Sequence, residues 1–326
     1  MKIAFFDTKP YWKDSFAPVA KKYGYEVTFF NERLTPETAH LAKGHDATCS
    51  FVNDEVPAKA VHTLKDLGIK LLLLRCAGFD SVDLAAAKEC GLPILRVPAY
   101  SPESVAEQGA ALLMAVNRKS HLAYERSTKF NFDIAGLDGI ALVGKTAGII
   151  GTGKIGQCMI NILKGFGMKI IAYDAFPNPN LGLEYVELDE LYARSDVISL
   201  HCPLMPATRH MIDAKAIAKM KDGVILVNVA RGGLVDSVAL ADAVEAGKFR
   251  GVGMDVCEVE HEYFFEDRSD KKDKDPTLAR LLASEKVVLS GHLAFLTEEA
   301  LTSMAEVTCN NAKAFLDGAE LVNEVK

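Results

Sequence analysis

The chain has no Cys-x-x-Cys pair, no long apolar run, no excess of positive charge and no internal repeat. Its seven cysteines, at positions 49, 76, 90, 158, 202, 257 and 309, are odd in number and scattered. That pattern argues against a disulfide framework and against a zinc site, so no metal is expected. It suits reduced thiols in a cytoplasmic protein. Nothing approaches the ~20 apolar residues that a membrane-spanning helix needs. The opening MKIAFFDTKPYW has too short an apolar stretch for a signal peptide and reads as a first strand. The net charge of −7 disfavours nucleic acid, whose binding depends on neutralising phosphates.

The 326 residues are 49% hydrophobic and 25% charged, the balance of a soluble chain large enough for two cores. Up to Tyr100, apolar runs alternate with amphipathic stretches. The runs are 2–7, 26–30, 47–52, 69–75 and 93–97, and the stretches include 56–67 and 82–90. This alternation predicts a parallel sheet covered on both faces. Ser101-Pro102-Glu103 opens a long helix that runs to about Lys119. Six further strands are predicted at 149–151, 169–174, 197–201, 224–230, 251–256 and 287–290, followed by a helix from Thr297 to about Asp317. The predicted fold is α/β, with two doubly wound parallel-sheet domains and a cleft between them. Residues 1–99 and 297–326 form the substrate domain, and residues 100–296 the dinucleotide-binding one. The mixed-charge run Glu266 to Asp275 reads as a solvated loop.

Gly151-Thr152-Gly153-Lys154-Ile155-Gly156 is a dinucleotide fingerprint in its required context. A strand precedes it and a helix follows. The next strand ends at Asp174, close to the ~20 residues beyond the glycines at which an acidic residue is expected. Asp174 is suited to accept hydrogen bonds from the adenosine ribose and would repel a 2′-phosphate, so the cofactor expected is NAD. His201, Cys202 and Pro203 follow the third strand of this run, and Val229 and Ala230 the fourth. All five are expected to line the cofactor.

Three polar residues each follow an apolar run: Arg231, Glu260 and His292. A guanidinium can hold a carboxylate bidentately, and an imidazole can exchange a proton with an alcohol or ketone oxygen. A nearby carboxylate can orient that imidazole and favour its protonated form. Such a set fits oxidation of a 2-hydroxy acid or reduction of a 2-oxo acid. From the residues alone, Arg231 could instead pair with Asp236, His261 rivals His292, and Glu258 and Glu262 rival Glu260.

Arg-Gly-Gly-Leu-Val-Asp236, Met-Asp255-Val-Cys-Glu-Val-Glu260, Gly-His292-Leu-Ala-Phe295, GTGKIG and Val97-Pro-Ala-Tyr100-Ser-Pro resemble the signatures of the D-isomer-specific 2-hydroxyacid dehydrogenases. Leu74-Arg-Cys-Ala-Gly-Phe79, Ile198-Ser-Leu-His-Cys-Pro-Leu204 and Phe264-Phe-Glu-Asp267 are similar to the bacterial NAD-dependent D-lactate dehydrogenase subgroup. The resemblance implies a flavodoxin-like substrate domain and a Rossmann NAD domain. It implies that Arg231 binds the substrate carboxylate, that Glu260 pairs with His292, and that His292 is the general acid/base beside the cofactor. Backbone N–H groups of the Ala77-Gly78 loop would also meet the carboxylate. Tyr100 and Phe295 would line a small pocket, and Thr208 and Asp255 would face the nicotinamide half of the cofactor. The implied substrates are pyruvate and D-lactate, and the implied state a homodimer or homotetramer. Larger 2-oxo acids are the alternative substrates, and an NAD-sensing corepressor is the alternative class. That class would need a partner surface, and no basic stretch supports one.

Overall fold

The computed structural model describes residues 1–325, so Lys326, placed by sequence in the first domain, lies outside the described residues. The chain divides into two compact units, one of Met1–Ser101 with the segment from Leu296 onward, the other of Pro102–Phe295.

In the first unit, β1 (Lys2–Phe5), β2 (Glu26–Phe29), β3 (Ala47–Ser50), β4 (Leu71–Leu74) and β5 (Ile94–Arg96) form a parallel sheet in the order β2-β1-β3-β4-β5. That is the flavodoxin-like order. β3 and β4 are buried along their whole length; β4 reads as an unbroken apolar run, and β3, Ala47-Thr-Cys-Ser50, buries its small hydroxyl residues as well. Phe5, Trp12, Phe16 and Phe51 form an aromatic core at the carboxyl end of the sheet. The helix Glu298–Leu316, capped by the Thr297 hydroxyl on Ala300 N–H, returns late in the chain to pack on the helix Pro10–Lys22.

In the second unit, β6 (Thr146–Ile150), β7 (Lys169–Tyr173), β8 (Glu184–Tyr185), β9 (Val197–Leu200), β10 (Val224–Asn228), β11 (Phe249–Met254) and β12 (Val287–Leu289) form one parallel sheet. Its order is β12-β11-β10-β9-β6-β7-β8. This is a Rossmann sheet with one strand added beyond β11. The order reverses between β6 and β9, the kind of switch point outside whose strand carboxyl ends open α/β sheets bind ligands. The sequence predicts six strands here and the structure has a seventh, β8. That edge strand is two residues long and carries no apolar run by which to recognise it. The long helix is Pro102–Arg118, and its buried face packs on β10 and β11. Among the described residues, no helix is long and apolar enough to cross a membrane.

Candidate active site

The glycine fingerprint lies at the switch point of the Rossmann sheet. Gly151 has φ +96, and a Cβ there would come within 2.7 Å of Cys202 N. The turn after β6 therefore crosses directly over the His201-Cys202 backbone. His201 N–H donates to the Ile150 carbonyl at 2.7 Å, which ties the two loops together. Burial pushes the His201 imidazole down to about 4, so it is neutral at physiological pH, with Nε2 2.8 Å from the Ser199 hydroxyl. Gly153 opens the helix Lys154–Gly165 in extended conformation, with no side chain capping the first turn. The unclaimed N–H groups of that turn and the helix dipole suit the pyrophosphate of a dinucleotide.

Asp174 has two tasks. Its Oδ2 accepts from Thr152 N–H at 2.7 Å and the Thr152 hydroxyl at 2.9 Å, and its Oδ1 accepts from Phe176 N–H at 2.9 Å. Burial works against its charge, but these donors hold the carboxyl below the usual range. A carboxylate has about four acceptor positions, so capacity for a ribose hydroxyl is left. The residue thus shapes the fingerprint turn as well.

Two of the residues expected along the cofactor have side chains committed elsewhere. Val229 is 6% exposed and packs toward Gly109 of the long helix, so only its backbone can meet a ligand. The Thr208 hydroxyl donates to the Pro203 carbonyl at 2.7 Å and accepts from Met205 N–H at 2.8 Å, closing its own turn.

Arg231, Glu260 and His292 come from three adjacent strands of this sheet. Buried Asn228, the last residue of β10, accepts from Ala230 N–H at 3.0 Å and donates to the Arg231 carbonyl at 2.9 Å. The Arg231 guanidinium donates to the Ala230 carbonyl at 2.8 Å. Asp236, weighed as its partner, caps the helix Ser237–Glu245 by accepting from Val238 and Ala239 N–H. A Cβ at Gly232 would come within 2.1 Å of the Cys257 carbonyl carbon. Only glycine lets the Arg231 loop lie this close to the loop that carries Glu260.

Glu260 opens a one-turn helix, Glu260–Tyr263, beyond β11. Its Oε1 is 3.3 Å from His292 Nδ1, with side-chain exposures of 20% and 14%. The two rivals are placed apart. Glu258 binds His210 Nε2 at 2.6 Å and accepts from Ser237 N–H at 3.0 Å. The His261 side chain is 60% exposed on the outer side of its helix turn, 3.9 Å from Glu262. His292 has φ +57, a costly conformation for a side chain with a Cβ.

Asp255, expected to face the nicotinamide, is fully buried and turned onto the histidine loop instead. It accepts from the Ser290 hydroxyl at 2.5 Å and from Leu293 and Ala294 N–H at 2.9 and 3.0 Å. The rings of Phe295 and Phe265 flank His292 at 6.5 and 6.0 Å between centroids. Phe265, at φ +65, has no place among the site residues read from sequence. Its only signal there is membership of the Phe264-Phe-Glu-Asp267 stretch. Ala77, Gly78 and Tyr100 belong to the first unit.

A family model described as "D-isomer specific 2-hydroxyacid dehydrogenase, NAD binding domain" matches residues 110–294. The chain is 47% identical to D-lactate dehydrogenase of Escherichia coli, over 100% of both chains. The solved apo-structure of D-lactate dehydrogenase from Escherichia coli superposes with a TM-score of 0.90 at 45% identity, covering 100% of each chain. D-lactate dehydrogenase with NAD+ from Lactobacillus jensenii superposes at 0.83 and 32% identity, again covering 100% of each. The chain belongs to the D-isomer specific 2-hydroxyacid dehydrogenase family. It is an NAD-dependent D-2-hydroxyacid dehydrogenase.

Proposed function

We propose that the chain is a D-lactate dehydrogenase that reversibly reduces pyruvate to D-lactate. The observation that carries the reading is the half-buried Glu260–His292 pair, 3.3 Å apart on the loops after β11 and β12. NADH, when bound, supplies the hydride. Protonated His292 donates a proton to the oxygen on C2 during reduction and takes it back during oxidation. Glu260, 3.3 Å from Nδ1, leaves Nε2 as the atom that faces substrate. Arg231 holds the substrate carboxylate and so orients C2. The family resemblance also assigns the N–H groups of Ala77 and Gly78 to carboxylate binding, and Tyr100 and Phe295 to the substrate. The aromatic rings beside His292 keep water from the transferring proton.

Loss of NADH absorbance with a panel of 2-oxo acids tests this. Pyruvate should show the highest kcat/KM, and the reverse reaction should accept D-lactate and not L-lactate. A preference for phenylpyruvate or a branched-chain oxo acid would move the substrate to a larger member of the class. No turnover with any would favour the NAD-sensing corepressor.

The same reading places the protein in the cytoplasm, in keeping with seven free thiols, and makes it a homodimer or homotetramer. The helix Ser120–Ser127 buries none of its residues. With the segment after it, it displays Tyr124, Phe130, Phe132 and Ile134, all at least 72% exposed. An apolar patch of this kind marks an association surface. Light scattering that returned the mass of a single 35.4 kDa chain would remove the oligomer.

A further inference from the structure

We propose that Arg96 is a positioning residue for substrate carboxylate binding, acting through the Ala77–Gly78 peptide. This rests on the reading that the loop after β4 binds the carboxylate. Arg96 is the last residue of β5, in register with Leu74 of β4. Its backbone is fixed from both sides. Its N–H donates to the Asn323 carbonyl at 3.1 Å, and its carbonyl accepts from the Asn311 side chain at 2.9 Å. From this anchored position the guanidinium reaches forward to the loop. Nη1 donates to the Ala77 carbonyl at 2.8 Å, and the guanidinium carbon lies 5.2 Å from the centre of the Phe79 ring. Arg96 forms no ion pair with a carboxylate among the described residues.

The consequence follows from peptide geometry. In a trans peptide the C=O and the next N–H point in opposite directions. Val97 N–H binds the Cys76 carbonyl at 3.1 Å, and Arg96 binds the Ala77 carbonyl. Both carbonyls therefore face β5, and the N–H groups of Ala77 and Gly78 face away from it. Neither N–H donates to a protein acceptor among the described residues. The Cys76 thiol, 3.3 Å from the Gly78 carbonyl, braces the next peptide. Two adjacent, outward N–H groups form a small anion nest. A cation hydrogen-bonded to the carbonyl of the same peptide polarises it and makes Gly78 N–H the stronger donor. Arg96 thus acts on the carboxylate without touching it.

The test compares Arg96→Ala, Arg96→Gln and Arg96→Lys in the full-length enzyme, measuring pyruvate kinetics, NADH affinity and thermal midpoint. Loss of a charge-assisted contact that serves ground state and transition state alike should raise KM about tenfold in Arg96→Ala, with kcat changed less than about threefold. Arg96→Gln should fall between, and Arg96→Lys should restore KM to within about threefold, because charge and one donor remain. NADH affinity should be unchanged in all three. A pyruvate KM unmoved in Arg96→Ala overturns the proposal. So does an equal loss in Ala and Lys variants accompanied by weaker NADH binding, which would mark a merely structural arginine. A wild-type enzyme that reduces no 2-oxo acid would instead overturn the substrate reading beneath it.

Discussion

Asp255 holds His292 in its left-handed conformation. The Asp255 carbonyl accepts the His292 N–H at 2.5 Å, and its carboxylate binds the residues on either side of the histidine, Ser290, Leu293 and Ala294. Four hydrogen bonds from one residue thus determine where the imidazole stands. They offset a backbone strain of order 1–3 kcal/mol.

Asp255→Asn replaces one acceptor oxygen with a donor facing N–H or O–H groups. The histidine loop should relax, and kcat should fall at least about tenfold, since misplacing a proton donor by about 1 Å is costly. NADH affinity should stay near normal. If the cofactor dissociation constant rises in step with the loss of kcat, the carboxylate faces the nicotinamide after all.

His292→Ala should lower kcat by roughly 10²–10⁴, the range for loss of a general acid–base. His261→Ala should lower it by less than about twofold, since that ring is exposed and sits beside Glu262. The reverse ranking in steady-state assays would exchange the two histidines' roles.

Asp174→Ala removes an acceptor for the ribose and a charge that repels a 2′-phosphate. NADH should weaken more than NADPH, so the ratio of their kcat/KM values should narrow at least about tenfold. Because Asp174 also binds Thr152 in the fingerprint turn, some loss with both cofactors is expected. Equal loss would mean that the residue serves only the turn.

Stability should carry a pH signature from Asp54 in the first unit. Burial pushes this carboxyl up to about 7; the Arg75 guanidinium opposes the shift and Asp7 adds to it. An unfolded Asp releases its proton near pH 4. Between about pH 4 and 7 the folded state keeps a proton that the unfolded chain has lost, so stability falls as pH rises through that window. Asp54→Asn lacks this titration. Denaturant unfolding should therefore show the advantage of wild type over Asp54→Asn shrinking by about 1 kcal/mol or more between about pH 5 and pH 7. A constant difference would mean that Asp54 is charged throughout.

The two sheets were legible because both faces of a parallel strand are buried. KIAFF, LLLL and VILVN are runs that water would not tolerate outside a core. β8 was not legible, because an edge strand of two residues buries too little to leave a pattern. The fingerprint was readable because part of its glycine requirement is local: Gly151 has a positive φ, and a Cβ at Gly156 would meet the Gly151 carbonyl.

By itself the sequence determined the class of fold, the cofactor and a short set of polar candidates, since periodicity, turn chemistry and motif spacing are local properties of the chain. Spacing alone did not determine which acid serves which base; the resemblance assigned Glu260 to His292. Glu258 and Glu260 are two residues apart and His261 adjoins them, and all three occupy equally polar sequence. The tertiary structure separated them. The register of β10, β11 and β12, with the Gly232 contact, carries Glu258 to His210 and Glu260 to His292, and leaves His261 at the surface. The same holds for Asp255 and Arg96, whose partners lie on other strands or loops. Long-range pairing decides where a side chain points, and no local pattern in the chain records it.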